Sequence, residues 1–156
     1  MQEPKFGPID GVKIIAKKKI VDDRGAIFHM LRNDDPDFTK FGEIYFSKIH
    51  PGVIKAWHHH KSMTLNYFLV TGSVRFALYD ARPNSKTKGL YQEIFLDECD
   101  SKLVIVPPGV WNGFKGIGIT SSIVANCATE PHDPEEISRA PHDDKMFAYD
   151  WSQRHG

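Results

Sequence analysis

Residues 67–79 read Tyr-Phe-Leu-Val-Thr-Gly-Ser-Val-Arg-Phe-Ala-Leu-Tyr, and this stretch decides the fold class. Two runs rich in aromatic and β-branched residues, Tyr67–Val70 and Val74–Tyr79, lie on either side of the turn-forming residues Thr71-Gly72-Ser73. Runs of this length and composition favour β-strands, and the glycine between them favours a tight turn. The second run mixes alternation with continuous apolar residues, which predicts a largely buried strand.

The same pattern of short apolar runs separated by turn-forming residues continues through the rest of the chain. Further runs of strand length are Val12–Ile15, Glu43–Ile49, Glu93–Leu96, Leu103–Val106 and Ser122–Ala125. The 12 glycines and 10 prolines are spread along the sequence, which suits many tight turns. Only residues 33–40 and 133–136 favour a short helix, because an acidic residue precedes a proline there. The sequence therefore predicts an all-β jelly-roll sandwich or barrel with one or two short helices.

The size and charge of the chain limit the functions it can have. Its 156 residues correspond to one domain, so we expect a single domain over residues 1–156. Lysine plus arginine and aspartate plus glutamate number 20 each, which gives a formal net charge of zero. A neutral chain has no overall field to attract a nucleic acid or an anionic membrane, so neither is expected as a partner. A small anionic ligand would need a local group of cations instead.

Cysteine content and hydropathy indicate the compartment. Two cysteines, Cys99 and Cys127, are too few for a disulfide framework, and we expect them to be buried thiols. The N-terminal sequence lacks the charged and apolar regions of a signal peptide. No apolar run reaches the ~18 residues that a membrane span needs. The expected location is therefore the cytoplasm.

The segment from Gly52 to Lys61, Gly-Val-Ile-Lys-Ala-Trp-His-His-His-Lys, contains a dense group of chemically active side chains. On a strand, alternation places His58 and His60 on one face and His59 on the other. Two imidazoles on one face form half of a metal site, or a general base with a hydrogen-bonding neighbour. A solvent-exposed histidine cluster is the alternative. Trp57, directly before the histidines, favours a defined and partly enclosed site.

This segment resembles the first cupin motif, with His58 and His60 at the expected spacing. Residues 107–112, Pro-Pro-Gly-Val-Trp-Asn, resemble the second cupin motif, Pro-x-Gly-x-x-His. Metal-binding cupins have a glutamate shortly after the second histidine of the first motif and a histidine at the end of the second motif. This chain has Leu65 and Asn112 at those positions, and neither is a good ligand for a divalent transition metal. A metal site is therefore disfavoured.

A second resemblance covers most of the chain and is more specific. It rests on Asp23-Arg24-Gly25, on Gly52 to His58, on Tyr79 to Thr87, on Val106 to Phe114, and on Asp144 with the later Tyr149-Asp150-Trp151. Segments of these kinds occur in this order in dTDP-4-dehydrorhamnose 3,5-epimerase and its relatives. The sequence Trp-His-x-His-Lys resembles a shorter sub-branch of that family. The resemblance implies a cupin jelly roll, a homodimer, a nucleotide-linked 4-keto-6-deoxysugar as substrate, and neither metal nor cofactor.

The resemblance also implies roles for individual residues. His58 matches the family's base, and Asp144 matches the carboxylate that holds the second ring nitrogen of the base and raises its basicity. Such a dyad suits proton removal from a carbon beside the 4-keto group, followed by reprotonation from the opposite face. Arg24 and Lys55 match cations that bind the diphosphate. On the residues alone, Asp144 and Lys55 are equally consistent with solvated charges, and Arg24 with a turn residue.

The chain departs from the family pattern at the position of the acid. The tyrosine that protonates the enolate in the family falls at Asn126, and asparagine cannot protonate a carbanion. Water or Tyr67 is the predicted replacement. The lysine expected beside the enolate falls near Leu65, although the loop after the histidines is shorter in this chain. We predict that His60, Asn112, Asn126 and Tyr67 bind substrate.

Three functions from different classes stay open on the sequence. The first, which we prefer, is an epimerase that inverts C3, C5 or both carbons of the sugar. The second is a non-catalytic cupin that binds a sugar nucleotide, as the departures from the family pattern predict. The third is a metal-dependent cupin that uses His58, His60 and a further ligand such as His50.

Overall fold

The computed structural model describes residues 3–154 and consists of strands joined by turns and loops. In chain order the strands are β1 (Lys5–Phe6), β2 (Lys13–Ala16), β3 (Lys19–Asp22), β4 (Gly25–Phe28), β5 (Glu43–Ile49), β6 (Ile54–His60), β7 (Leu65–Thr71), β8 (Ser73–Asp80), β9 (Leu90–Asp97), β10 (Lys102–Val106), β11 (Val110–Gly116), β12 (Ser122–Ala128) and β13 (Ile137–Arg139).

Two large sheets form a sandwich. The six-stranded sheet has the order β1-β9-β8-β11-β6-β13, and the five-stranded sheet has the order β2-β10-β7-β12-β5. Strands β3 and β4 form a separate two-stranded sheet. The pairing of β1 with β9 is parallel, and the other pairings are antiparallel. The all-β sandwich predicted from the sequence is confirmed.

Apolar side chains from both sheets meet in one core. Every second residue of β7, from Leu65 to Leu69, and of β8, from Val74 to Leu78, belongs to this core. Alternate residues of a strand share a face, so these positions point inward together. Tyr67 and Phe76 join the two sheets by an edge-to-face contact with ring centroids 5.3 Å apart. Burial of each large side chain contributes roughly 1.5–3 kcal/mol to the free energy of unfolding.

The C-terminal segment covers the outer face of the six-stranded sheet. Ala77 lies between two inward residues of β8 and therefore faces outward, where it joins a second apolar cluster with Trp57 of β6. Phe147 stacks on Trp57 with ring centroids 4.5 Å apart, and Tyr149 and Trp151 pack against the same ring. This cluster anchors β6 on its outer side, so the inward-facing residues of β6 are held in place.

The two short helices predicted from the sequence are absent from residues 3–154, so this prediction was wrong. Residues 33–40 form turns and loop. In residues 133–136 the Asp133 carboxylate accepts a hydrogen bond from the Glu135 N–H, as a helix cap would. The chain then continues as Ile137–Arg139, which pairs with β6. A capping residue closes one turn, but the sheet pairing prevents the helix from extending.

The two cysteines are free thiols, and they are less buried than the sequence predicts. Cys99 is exposed and Cys127 is half-buried. Cys99 lies in the turn after β9, where its N–H donates to the Asp97 carboxylate, and this turn keeps it at the surface. In the part of the chain that the structure describes, no helix is long and apolar enough to cross a membrane.

Candidate active site

A cavity of about 740 Å³ lies between the two sheets. Its polar lining consists of Glu43, Tyr45 and Ser47 from β5, Lys55, His58 and His60 from β6, Tyr67 from β7, and His132 and Arg139 from the segment that follows β12. A cavity of this size fits a small-molecule ligand. The histidine cluster singled out in the sequence therefore lies in a partly enclosed site.

The alternation predicted for the three histidines is present in β6. His58 and His60 both line the cavity, and their ring centroids are 5.8 Å apart. His59 points the other way and packs against Trp111, with ring centroids 4.4 Å apart. One face of β6 thus presents His58 and His60 to the cavity, and the other face carries His59, which packs against Trp111.

Hydrogen bonds behind the cavity fix the orientation of His58. The Asn112 amide nitrogen donates to the carbonyl oxygens of His58 and Val110, at 3.2 and 3.3 Å. The Asn112 amide oxygen therefore accepts the hydroxyl proton of Tyr67, at 3.3 Å. Because Tyr67 has only one proton to give, His58 Nε2, at 3.3 Å from the same hydroxyl oxygen, is the donor in their contact. Since Nε2 carries the proton of the neutral ring, the lone pair of His58 is on Nδ1.

Burial sets the protonation states of this group. Burial, together with the neighbouring His60, Arg139 and His59, lowers the pKa of His58 to about 3. Burial, with a smaller effect of Tyr45, raises the pKa of the Tyr67 hydroxyl well above its usual value. His58 is therefore a neutral imidazole at physiological pH and is able to accept a proton. Tyr67 is a weak proton donor.

His60 forms the carboxylate–histidine pair of the cavity. Its Nδ1–H donates to Glu136 Oε2 at 2.5 Å, and the two side chains are 5% and 10% exposed. The other Glu136 oxygen accepts the backbone N–H groups of Ser62 and Met63, both at 2.8 Å. Burial by itself would raise the pKa of Glu136, but the hydrogen bonds from Ser62, His60 and Met63 outweigh it and hold the pKa below its usual value. The pair joins β6 to the segment that enters β13.

The side chains are not grouped as a metal site would need. Within residues 3–154, no three His, Cys, Asp or Glu side chains are close enough together to hold a metal ion. His50, considered from the sequence as a third ligand, hydrogen-bonds through Nδ1 to Ser121 Oγ at 3.0 Å and does not line the cavity. The geometry therefore gives no support to the metal-dependent function.

Comparison with known proteins assigns the family. The family model of dTDP-4-dehydrorhamnose 3,5-epimerase matches residues 7–155. The spore coat polysaccharide biosynthesis protein SpsL of Bacillus subtilis is 35% identical over 146 residues, which are 92% of this chain and 97% of SpsL. The chain belongs to the dTDP-4-dehydrorhamnose 3,5-epimerase family.

Two further relatives agree with this assignment. The probable low-salt glycan biosynthesis epimerase Agl13 of Haloferax volcanii is 32% identical over 135 residues, which are 84% of this chain and 86% of that protein. A solved structure of a dTDP sugar isomerase from Desulfovibrio desulfuricans superposes with a TM-score of 0.89, at 38% identity and with 92% of each chain covered. The resemblance predicted from the sequence and the expectation of an enzyme are confirmed.

The structure does not bring the family's predicted carboxylate to the base. Asp144 accepts a hydrogen bond from the Met146 N–H at 2.8 Å, and it does not line the cavity. Over the described range, the polar contact of the His58 ring is to Tyr67, and no hydrogen bond joins His58 to Asp144. The expected dyad is thus not found in residues 3–154, where the Asp144 carboxylate lies in a turn after β13. The Tyr67–Asn112 network fixes the ring instead.

Of the two cations expected from the family resemblance, one lies at the cavity and the other does not. Lys55 lines the cavity, and its ammonium group donates to Ser47 Oγ at 3.1 Å. Arg24 lies in the turn between β3 and β4, where it pairs with Asp22 and its side chain is 86% exposed. It does not line the cavity of its own chain. Arg139, which the sequence analysis did not single out, does line it.

Asn126 is buried next to a tyrosine that the sequence analysis also missed. Asn126 Nδ2 donates to the Tyr45 hydroxyl oxygen at 2.9 Å, and Asn126 Oδ1 accepts the Asn66 N–H at 3.0 Å. Tyr45 lines the cavity, whereas Asn126 does not. The alternating sequence of β5, Glu43, Tyr45 and Ser47 on one face, is the signal that could have located this tyrosine. Glu136 had no comparable signal, since it lies beyond β12 and far from His60 in sequence.

Proposed function

We propose that the protein inverts C3, C5 or both carbons of a nucleotide-linked 4-keto-6-deoxysugar. The observation that carries the proposal is a neutral histidine, His58, whose Nδ1 lone pair hydrogen-bonds to no residue in 3–154 while its ring lines the cavity. Family membership supports the substrate class. We further propose that residues 1–156 act as one domain, in the cytoplasm, without a bound cofactor.

The proposed reaction starts with the carbon next to the 4-keto group. Its proton is acidic because the negative charge that forms on removal is shared with the carbonyl oxygen. His58 Nδ1 accepts this proton, and the Lys55 ammonium group offers a positive charge to the enolate or to the diphosphate. Return of a proton to the opposite face of the same carbon inverts it.

We assign the tautomer-fixing role to Tyr67 and Asn112 rather than to Asp144. A carboxylate partner would raise the basicity of the ring, whereas the neutral Tyr67 hydroxyl fixes its direction and leaves the ring uncharged. His60, held by Glu136, is a positioning residue in this proposal, because its Nε2 is buried without a hydrogen-bond partner in the described chain. Its ring packs beside His58 and limits the movement of the base.

The proposed nucleotide site uses local cations. Lys55 and Arg139 line the cavity and match the doubly charged diphosphate of a nucleotide sugar. Arg24 does not line this cavity, and we propose that it serves the cavity of a partner protomer in a homodimer. Exposed apolar residues on the β3–β4 sheet and on β5 support this assembly: Val21, Ile27, Ile44 and Phe46. A two-stranded sheet is rarely stable by itself, so a second copy packed on it is the occupant that this surface fits.

Solvent deuterium exchange tests the proposed function. The protein is incubated in D₂O with a panel of dTDP-linked 4-keto-6-deoxyhexoses, and the sugars are analysed by mass spectrometry. We expect deuterium at carbons adjacent to the ketone. Binding of dTDP by calorimetry without exchange on any sugar of the panel would contradict the enzyme and favour the non-catalytic cupin.

A further inference from the structure

We propose that Tyr45 is the acid of the reaction, donating its phenolic proton to the enolate from the wall of the cavity opposite His58. The proposal rests on the epimerase function proposed above. It assigns a residue to the step that the sequence left without one, because the family's acidic tyrosine falls at Asn126 in this chain.

Sheet register places Tyr45 beside the missing acid. Asn126 of β12 and Tyr45 of β5 are directly paired in antiparallel strands. Directly paired residues point to the same face of a sheet, so a tyrosine at 45 projects from the same surface as a tyrosine at 126 would. Tyr45 thus lies one strand away from position 126, and it lines the cavity.

The amide of Asn126 prepares Tyr45 as a donor. Asn126 Oδ1 accepts the Asn66 N–H, which fixes the amide orientation and directs Nδ2 to the Tyr45 hydroxyl oxygen, at 2.9 Å. Tyr45 is the acceptor in this bond, so its own proton is not used by Asn126. When Tyr45 loses that proton, the same N–H stabilises the phenolate.

The proposed acid and base line the same cavity from different sheets of the sandwich. Tyr45 belongs to β5 in the five-stranded sheet, and His58 belongs to β6 in the six-stranded sheet. Inversion of a carbon requires that a proton leaves one face and another arrives at the opposite face. A sugar ring held between the two sheets meets the base on one side and Tyr45 on the other.

Tyr67, the replacement considered from the sequence, fits this role less well. It is 2% exposed, and its hydroxyl group is shared between Asn112 and His58. Tyr67 also contacts the base itself, so its hydroxyl group is already engaged by His58. Tyr45 is 37% exposed; its hydroxyl group lies beside that of Tyr67, but within residues 3–154 no hydrogen bond joins it to His58.

All proton transfers in the proposed reaction take place among the sugar, His58, Tyr45 and water. The C–H bond breaks on the His58 side, leaving an imidazolium ion and an enolate. The enolate takes the Tyr45 proton on the other face, forming a new C–H bond, the ketone and a phenolate. Exchange with solvent then removes the proton from the imidazolium and restores the phenol, so the enzyme returns to its starting state.

The test separates proton removal from inversion. Wild-type protein, Tyr45→Phe and the control Tyr79→Phe are incubated in D₂O with the 4-keto sugar on which the wild type acts. Proton NMR then follows exchange and stereochemistry at the same carbon. Tyr79 packs in the outer aromatic cluster, away from the cavity, so its variant is expected to invert the sugar at the wild-type rate.

We expect Tyr45→Phe to lower the inversion rate on the order of 100-fold while exchange with retention of configuration continues, because His58 still removes and returns a proton. In the double variant Tyr45→Phe with Asn126→Tyr, a tyrosine again projects from this surface and inversion is expected to recover. Inversion by Tyr45→Phe within twofold of the wild-type rate would overturn the role of Tyr45 alone. No exchange by the wild type on any 4-keto sugar would overturn the proposed function and the Tyr45 role with it.

Discussion

At the residue scale, burial sets the protonation state of His58, the base in the proposed reaction. The ring lies against His60 and near Arg139, and these neighbours add to the effect of burial in lowering its pKa to about 3. A base with a low pKa takes a proton less readily, but it is never blocked by protonation near neutral pH. Arg139 and Lys55 line the same cavity, and in the proposed reaction their positive charges stabilise the enolate that forms when the proton is removed.

This protonation state predicts the pH dependence of exchange. Because the pKa of His58 in the folded protein lies far below its ordinary value near 6.5, the ring stays neutral as the pH falls. We expect the rate of deuterium exchange to be constant from pH 8 down to about pH 5. A drop in rate with a midpoint near pH 6.5 would show that the base titrates as an ordinary histidine, contrary to this account.

At the element scale, the contact between β6 and β13 forms one wall of the cavity. β13 pairs with β6 over Ile137–Arg139, and the buried His60–Glu136 pair closes the end of this pairing. Glu136 also accepts the N–H groups of Ser62 and Met63, so one carboxylate holds the end of β6 and two backbone groups of the β6–β7 connection. Arg139 of this short strand and Ala140 directly after it line the cavity.

Glu136→Gln is expected to loosen this wall. The amide cannot accept three charge-assisted hydrogen bonds, so we expect the free energy of unfolding at pH 7 to fall by about 1–3 kcal/mol. Denaturant unfolding of Glu136→Gln and of the neighbouring, exposed Glu135→Gln measures the effect. Equal stabilities of the two variants would contradict the role of the pair.

The same variant has a defined pH signature. The pKa of Glu136 is lower in the folded protein than in the unfolded chain, so its carboxylate stabilises the fold above the unfolded pKa. This contribution is lost as the pH falls through the folded pKa. The difference in stability between wild type and Glu136→Gln is therefore expected to shrink in acid.

Some strands of this fold were predicted from the sequence, and others were not. β5 was predicted with its observed bounds, and β8 nearly so, because apolar and polar residues alternate in them and turns limit them. β3 and β4 were missed, since all their residues are exposed and no core-facing periodicity marks them. β13 was missed because its three residues gain their extended form from pairing with β6, a contact between distant segments.

As with the strands, the parts of the candidate site that follow a local sequence pattern were predicted, and the parts that depend on contacts between distant segments were not. Alternation located His58 and His60, since both lie on one strand. Glu136 and Tyr45 reach the cavity through sheet contacts between segments far apart in sequence, and no local pattern reports such contacts. Asp144 was assigned from family resemblance, but the local turn after β13 uses its carboxylate.

At the scale of the whole molecule, 20 basic and 20 acidic residues give a net charge of zero. An anion must therefore be bound by local clusters of cationic side chains. Lys55 and Arg139 concentrate positive charge at the cavity, while Asp22 partly neutralises Arg24 at the distant turn. A neutral surface also does not oppose association between copies through repulsion of like net charge. The exposed apolar residues of β5 and of the β3–β4 sheet therefore favour self-association.

The homodimer is tested by sedimentation equilibrium. We expect a mass of about twice the chain mass of 17.7 kDa for the wild type. Phe46→Glu places a charge on the proposed interface and is expected to give a monomer, because burial of an unpaired charge is costly. The matched control Phe95→Glu lies on β9 of the other sheet and is expected to remain dimeric. A wild-type mass equal to that of one chain would contradict the assembly.

In the proposed reaction, His58 removes a proton from the carbon beside the keto group of a sugar nucleotide. Proton NMR in D₂O, with a dTDP-4-keto-6-deoxyhexose and with wild type and His58→Asn side by side, tests it most directly. For the wild type we expect loss of the C3 or C5 proton signal with inversion. For His58→Asn we expect exchange that is slower by at least about 100-fold. Exchange by His58→Asn at the wild-type rate would contradict the claim.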